Sequence, residues 1–122
     1  MEGMSTETNP LAQVTEYRVR LGSQPAFEQL LVDLREFYLS IDYPYPVEAF
    51  KPLYFTPGQY IVVVFPDTWE AFYGVNDLDK LADGAGRLED LSVLRERLDE
   101  VLLSITTFEI TYAPDLSFNP RM

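Results

Sequence analysis

The stretch Gln59 to Phe65, QYIVVVF, limits the possible folds more than any other part of the chain. In an extended chain successive side chains face opposite ways, and here both sides are apolar. One side carries Tyr60, Val62 and Val64, and the other carries Ile61, Val63 and Phe65. Leaving either set in water would forgo about 1.5 to 3 kcal/mol per large side chain. The stretch is therefore predicted to be a central strand that is covered on both faces.

Three further segments are predicted to be strands. The first runs from Val14 to Leu21 and the last from Thr107 to Tyr112, because both alternate apolar with polar side chains. The second runs from about Ala49 to Phe55, and Pro52, which cannot donate a backbone hydrogen bond, marks it as an edge strand. A Pro-Gly pair before the central strand fits a type II turn and predicts a hairpin.

Two long amphipathic helices are predicted. The first begins after Ser23, a capping residue that is followed by Pro25 in the first turn, and ends before Pro44 and Pro46. Its apolar residues recur at three- and four-residue spacing. They are Phe27, Leu30, Leu31, Leu34, Phe37, Tyr38 and Ile41. The second long helix is predicted over about Arg87 to Ser104.

Two shorter helical segments should precede that second helix. Asp67 with Glu70 three residues later is a capping pattern, and it predicts a short helix through about Tyr73. Asn76 to Gly86 is predicted to be an acidic helix and turn. The main elements then follow the order strand, helix, strand, strand, helix, strand. This order predicts an α+β fold, the ferredoxin-like split βαβ arrangement with a four-stranded antiparallel sheet and two main helices.

The length of 122 residues predicts one domain. Residues 1–12 are polar and end near an Asn-Pro pair, so they are expected to form a flexible tail, and residues 13–122 are expected to form the domain. Near the C-terminus, Leu116 and Phe118 stand in a turn-like context. These two side chains are expected to dock on another surface.

The charge balance limits the possible partners. The chain has 20 acidic and 9 basic residues and a net charge of −11, which repels phosphate backbones and anionic membrane surfaces at long range. No apolar run is long enough for a membrane span, and the N-terminus lacks the features of a signal peptide. A cytoplasmic protein without nucleic-acid or membrane partners is expected.

Cysteine and histidine are both absent, which restricts the chemistry. Their absence excludes thiolate nucleophiles, disulfides, Ser-His-Asp arrangements and histidine ligation of haem. No metal and no cofactor is expected.

The second face of the sheet needs a cover, because two helices can cover one face only. The expected cover is the same face of another copy, in a two-fold symmetric homodimer. The alternative is a monomer in which the aromatic tail and the proline-rich connection fold over the sheet.

The segment TEYRVRLG, Thr15 to Gly22, supplies charges to that second face. Its apolar side chains Tyr17, Val19 and Leu21 alternate with the charged Glu16, Arg18 and Arg20. If the apolar set faces the helices, the charged set lies inside or at the rim of the dimer. Glu109 on the last strand is predicted to share this face and to pair with Arg18 or Arg20. These charges are either a structural ion-pair network or anchors for a polar ligand.

Aromatic side chains are the other candidate ligand contacts. Trp69, the only tryptophan, opens the short helix, and Tyr54 and Tyr60 flank the hairpin. Such residues line pockets for flat organic molecules, and they are equally common as core packing.

Two parts of the sequence resemble the dimeric α/β-barrel superfamily. TEYRVRLGSQPAFEQLL is similar to its first strand, glycine turn and following helix, and YIVVVFPDTWEAF is similar to its central strand and short helix. The relatives include antibiotic-biosynthesis monooxygenases and NIPSNAP-like proteins, and the closing YAPDLSF resembles a bacterial branch. The resemblance implies that two ferredoxin-like chains pack sheet to sheet around an interior that binds a small molecule.

Two functions follow as expectations. The first is a homodimeric protein that binds a small apolar or aromatic molecule inside the barrel. The alternative is a cofactor-independent monooxygenase, whose aromatic substrate activates oxygen itself and is positioned by the enzyme. The candidate ligand-binding residues are Glu16, Arg18, Arg20, Tyr54, Tyr60, Trp69 and Glu109.

Overall fold

The computed structural model describes residues 11–51, 58–75, 78–116, 118 and 120. Its single sheet has four antiparallel strands in the order β2-β3-β1-β4. The strands are β1 (Leu11–Val19), β2 (Val47–Phe50), β3 (Gln59–Val64) and β4 (Leu102–Thr111), and the helices are α1 (Gln24–Ser40), α2 (Trp69–Val75), α3 (Leu78–Gly84) and α4 (Leu88–Val101). This topology confirms the predicted ferredoxin-like fold, with β3 inside the sheet and β2 at its edge.

The last strand begins five residues before the predicted start. The sequence favoured a helix through Ser104, whereas α4 ends at Val101 and β4 begins at Leu102. Leu102 pairs with Val19 of β1, and the Arg20 N–H donates to the Val101 carbonyl at 2.9 Å. A short apolar run fits both a helix and a strand, so pairing with β1 decides this boundary.

The cap of α2 also differs from the prediction. The Ala71 N–H donates to the Thr68 hydroxyl at 3.0 Å, so Thr68 rather than Asp67 caps the helix. A threonine oxygen satisfies one of the free N–H groups of the first turn as an aspartate would.

The register assigns each strand residue to one face of the sheet. Tyr17 lies opposite Tyr60 and Ile105, and these side chains face the helices. Val14 lies opposite Val63 and Phe108, which face away from them. We call these two faces the helix side and the open side.

The core lies on the helix side. Its buried members come from β1, β3 and the helices, and they are Val19, Phe27, Leu30, Phe37, Ile41, Tyr60, Ala82, Leu91 and Leu94. The predicted apolar stripe of α1 supplies four of these residues. The predicted apolar stripe of α1 is therefore confirmed, whereas Ser23 precedes the helix without a side-chain capping hydrogen bond.

The open side divides into an apolar part and a polar part. The apolar part includes Phe108 and Ile110, which are 44% and 47% exposed, around the buried Val14. Toward the other end, Arg18 lies between Gln59 and Ser104.

Among the helices of the described residues, none has the length and apolar character that a membrane span requires.

Two glycines with positive φ offer a matched test of the packing between β1 and the turn before β3. Gly58 has φ +82°, and a Cβ there would lie 2.8 Å from the Val19 carbonyl oxygen. Gly22 has φ +85°, and a Cβ there would meet nothing within 4 Å.

We expect Gly22→Ala to lower the free energy of unfolding by about 1 kcal/mol, through backbone strain alone. Gly58→Ala should cost at least about 2 kcal/mol, because backbone atoms that cannot move freely add a clash. Urea unfolding of both variants measures the difference. Equal losses would contradict this account of the turn.

Candidate ligand cavity on the helix side

A cavity of about 550 Å³ lies between α1 and the helix side of the sheet. Helix α1 forms one wall, strands β1, β2 and β3 form the floor, and the connection after α1 forms one end. The lining residues are Tyr17, Leu31, Val32, Leu34, Arg35, Tyr38, Leu39, Asp42, Tyr43, Tyr45, Val47, Ala49 and Val62. This volume is within the range of about 300 to 1,000 Å³ that is typical of small-molecule sites.

The end of the cavity is a row of tyrosine rings. The ring centroids of Tyr38 and Tyr43 are 4.8 Å apart, and those of Tyr43 and Tyr45 are 6.1 Å apart. Tyr45 continues the row to Phe72 of α2 at 5.6 Å. These separations are typical of aromatic packing, so the rings support one another.

The backbone after α1 places these rings. Asp42 has φ +52°, a left-handed conformation that ends the helix, and the Tyr43 N–H returns to the Tyr38 carbonyl at 3.0 Å. Pro44 and Pro46 then favour an extended chain at the residues before them. The tyrosines therefore fold back against α1.

Tyr17 lies on the floor of the cavity. Its ring centroid is 5.4 Å from that of Phe27, which is in turn 4.7 Å from the ring of Tyr60. Phe27 is completely buried. The Tyr17 ring is therefore fixed from below by the core.

An ion pair between α1 and α4 helps to position the helical wall. Arg97 of α4 lies 2.8 Å from the Asp33 carboxylate, which also accepts a hydrogen bond from Gln29 at 3.1 Å. The hydrogen bond from Arg97 is the largest of the contacts that lower the pKa of Asp33 below its ordinary value. Asp33 therefore remains a carboxylate at neutral pH and keeps this contact.

Three phenols that line the cavity, those of Tyr17, Tyr38 and Tyr43, remain protonated at neutral pH. Burial raises the pKa of Tyr17 to about 12, and the nearby Tyr38 contributes. Burial also raises the pKa of Tyr38 and of Tyr43. The Tyr17 and Tyr38 hydroxyls can therefore donate hydrogen bonds to a ligand, but they cannot act as bases.

The hydroxyls of Tyr17 and Tyr38 make no hydrogen bond within the described residues. Every buried side-chain N or O atom of the described residues has a partner, so these two oxygens must be accessible. Because both residues line the cavity, they supply two donors to it. Tyr60 differs, since its hydroxyl donates to the Glu28 carboxylate at 2.6 Å.

The rim of the cavity carries one cation and one anion. Arg35 and Asp42 are both exposed lining residues. Arg35 lies 3.8 Å from Glu36, and its side chain is 69% exposed. Within the described residues, no group of three or more carboxylates is arranged to hold a metal ion.

The charged residues proposed from the sequence lie elsewhere. Glu16 and Arg18 are on the open side, as predicted, and Arg20 is exposed just beyond β1. Glu109 lies opposite Gln13 on the helix side, so the prediction that it shares a face with Arg18 is wrong. The alternation in β4 was correct, but pairing with β1 turns the apolar Phe108 and Ile110, not Glu109, to the open side.

The aromatic contacts proposed from the sequence do not line the cavity within the described residues either. Tyr60 is a core residue, and Trp69 packs on Phe72 with centroids 6.0 Å apart, away from the cavity lining. Tyr54 lies outside the described residues. Sequence reasoning missed Tyr17 and Tyr38 as contacts, although a hydroxyl within an apolar stripe was an available signal.

The fold defines a class of proteins, the ferredoxin-like α/β proteins that include NIPSNAP domains. A NIPSNAP domain protein from Burkholderia xenovorans is 13% identical to this chain with a TM-score of 0.64, over 88% of this chain and 99% of that chain. A candidate antibiotic biosynthesis monooxygenase from Bordetella bronchiseptica is 15% identical with a TM-score of 0.60, over 84% and 96%.

The haem degrader MhuD from Mycobacterium tuberculosis, solved with two haems in its active site, is 18% identical with a TM-score of 0.57, over 88% and 100%. No family model matches the chain, and no curated protein matches it in sequence. At these identities the similarity establishes the fold. The predicted resemblance in fold to NIPSNAP and antibiotic-biosynthesis-monooxygenase proteins is thereby confirmed.

The buried phenols predict alkaline instability. The pKa values of Tyr17 and Tyr60 are raised from 10.0 to about 12, so the unfolded chain loses these protons first. Stability should therefore be retained below pH 10 and should fall as the pH rises from 10 to 12. The decline should be shallower in Tyr17→Phe than in the control Tyr112→Phe. Equal slopes of unfolding free energy against pH would count against buried ionisation at Tyr17.

Proposed function

We propose that this protein is a homodimer that binds a small apolar or aromatic molecule in the helix-side cavity. The observation that carries the proposal is the cavity itself, which combines aliphatic walls with a row of tyrosine rings. Leu31, Leu34 and Val62 supply apolar surface, and Tyr38 and Tyr43 supply flat surface for an aromatic ring.

The cavity belongs to one chain and lies on the opposite face of the sheet from the proposed dimer contact. Sequence reasoning expected the ligand in the barrel interior, between two open sides. The helix-side position has better support, because its walls are formed by described residues of a single chain. Ligand binding and dimerisation are then separable properties.

Binding has better support than catalysis by a cofactor-independent monooxygenase. An aromatic substrate activates oxygen most readily after it loses a proton, which requires a base within reach. The raised pKa values of Tyr17 and Tyr38 prevent these phenols from acting as that base at neutral pH. Among the lining residues the carboxylate is Asp42, and it is exposed at the rim. Within the described residues, the buried part of the lining therefore offers a substrate no carboxylate base.

The homodimer is proposed from the open side. Phe50, Phe108 and Ile110 are 53%, 44% and 47% exposed in the single chain, and all three belong to this face. Ile61 and Val63 extend the apolar surface across β3. Exposed patches of this kind on a sheet mark association surfaces, and a second copy supplies a matching one.

Filling the cavity should weaken binding. Ala49 of β2 lines the cavity at its accessible edge, so Ala49→Phe should occupy the space that a ligand needs. We expect the neutral fluorophore N-phenyl-1-naphthylamine to brighten with the parent protein and to bind Ala49→Phe at least roughly tenfold more weakly. Ala85→Phe, an exposed site beyond α3, is the control. Unchanged binding by Ala49→Phe would place the fluorophore elsewhere.

Charging the open side should separate the dimer. Phe108→Asp places a carboxylate at the centre of the proposed contact, whereas Thr107→Asp places one on the helix side of the same strand. Sedimentation velocity at low micromolar concentration should show twice the 14.0 kDa chain mass for the parent and for Thr107→Asp. Phe108→Asp should sediment as one chain. A parent that sediments as a monomer refutes the homodimer.

A further inference from the structure

We propose that the ligand of the helix-side cavity is a neutral aromatic molecule that carries a hydrogen-bond-accepting oxygen, such as a ketone, held by the Tyr17 and Tyr38 hydroxyls. This inference rests on the proposed function, and it adds the chemical class of the ligand. It excludes pure hydrocarbons and aromatic carboxylates as preferred ligands.

The two hydroxyls show which group the ligand must bring. Both side chains are half-buried and line one cavity, and neither hydroxyl has a partner within the described residues. A pure hydrocarbon would exclude water from these donors and leave them unpaired, which opposes binding. An oxygen acceptor on the ligand removes that penalty.

The two donors belong to one cavity. Tyr17 and Tyr38 both line it, and Tyr38 is near enough to Tyr17 to contribute to its raised pKa. A carbonyl oxygen has two lone pairs and accepts two hydrogen bonds at once. A ligand carbonyl that lies between the two hydroxyls would therefore satisfy both.

The charges of the protein select a neutral acceptor over an anionic one. The net charge of −11 repels anions at long range, and the donors in the cavity are uncharged phenols. Arg35 at the rim is largely exposed beside Glu36, and Asp42 carries the opposite charge on the same rim. Arg95, whose charge also acts on Tyr38, is paired with the Asp79 carboxylate at 2.7 Å. A buried carboxylate would therefore lose more hydration than these groups return.

Three naphthalenes of nearly equal shape test the inference. They are 2-acetonaphthone, 2-isopropenylnaphthalene, which replaces the carbonyl oxygen with a methylene group, and 2-naphthoate. Each competes with N-phenyl-1-naphthylamine for the parent protein. We expect the ketone to bind roughly threefold to tenfold more tightly than the alkene, and the carboxylate to bind most weakly.

Removing the hydroxyls should remove this preference. In Tyr17→Phe combined with Tyr38→Phe the rings remain and no donor is left unpaired, so the alkene should bind more tightly than to the parent and the ketone should lose its advantage. Tyr73→Phe, on the exposed face of α2, is the control and should keep the preference.

The outcomes separate this inference from the proposed function. Equal affinities of the parent for ketone and alkene, or tightest binding of 2-naphthoate, overturn the inference and leave the binding function standing. Retention of the ketone preference in the double variant also overturns it. If none of the three compounds displaces the fluorophore, the proposed function and the inference both fail.

Discussion

The structure depends on strand β3, whose apolar side chains must be covered on both faces. Val62 faces α1 across the cavity, and its neighbour Val63 faces the open side beside Val14. The first requirement is met within one chain, where α1 and α4 cover the helix side. The second leaves the open side available to another chain, so one strand determines both the core and the proposed dimer contact.

The cavity exists because packing on the helix side is uneven. Phe27, Phe37 and Leu91 are buried in the core, whereas the cavity lies where α1 faces β2, with the tyrosine row at its end. Tyr38 belongs to this row and also supplies one of the two hydroxyl donors, and Tyr17 on the floor supplies the other.

The sequence predicted the fold well because its strongest patterns are local. The alternation in β1, the stripe of α1 and the proline at the edge strand each depend on a few neighbouring residues. The positions of the candidate site depend on long-range pairing instead. Glu109 changes face according to whether it lies opposite Gln13 or Glu16, and β4 alone does not determine that register. The cavity could not be predicted for the same reason, because its walls come from segments that are far apart in the chain.

The central claim is that a ligand occupies the helix side of the sheet, and the adjacent valines of β3 test it most directly. Val62 lines the cavity and Val63 faces the open side, so intermolecular nuclear Overhauser contacts from bound 2-acetonaphthone distinguish the two faces. The account predicts contacts to the Val62 methyl groups and to the ring of Tyr38, and none to Val63 or Ile110. Contacts to Val63 without contacts to Val62 would contradict it.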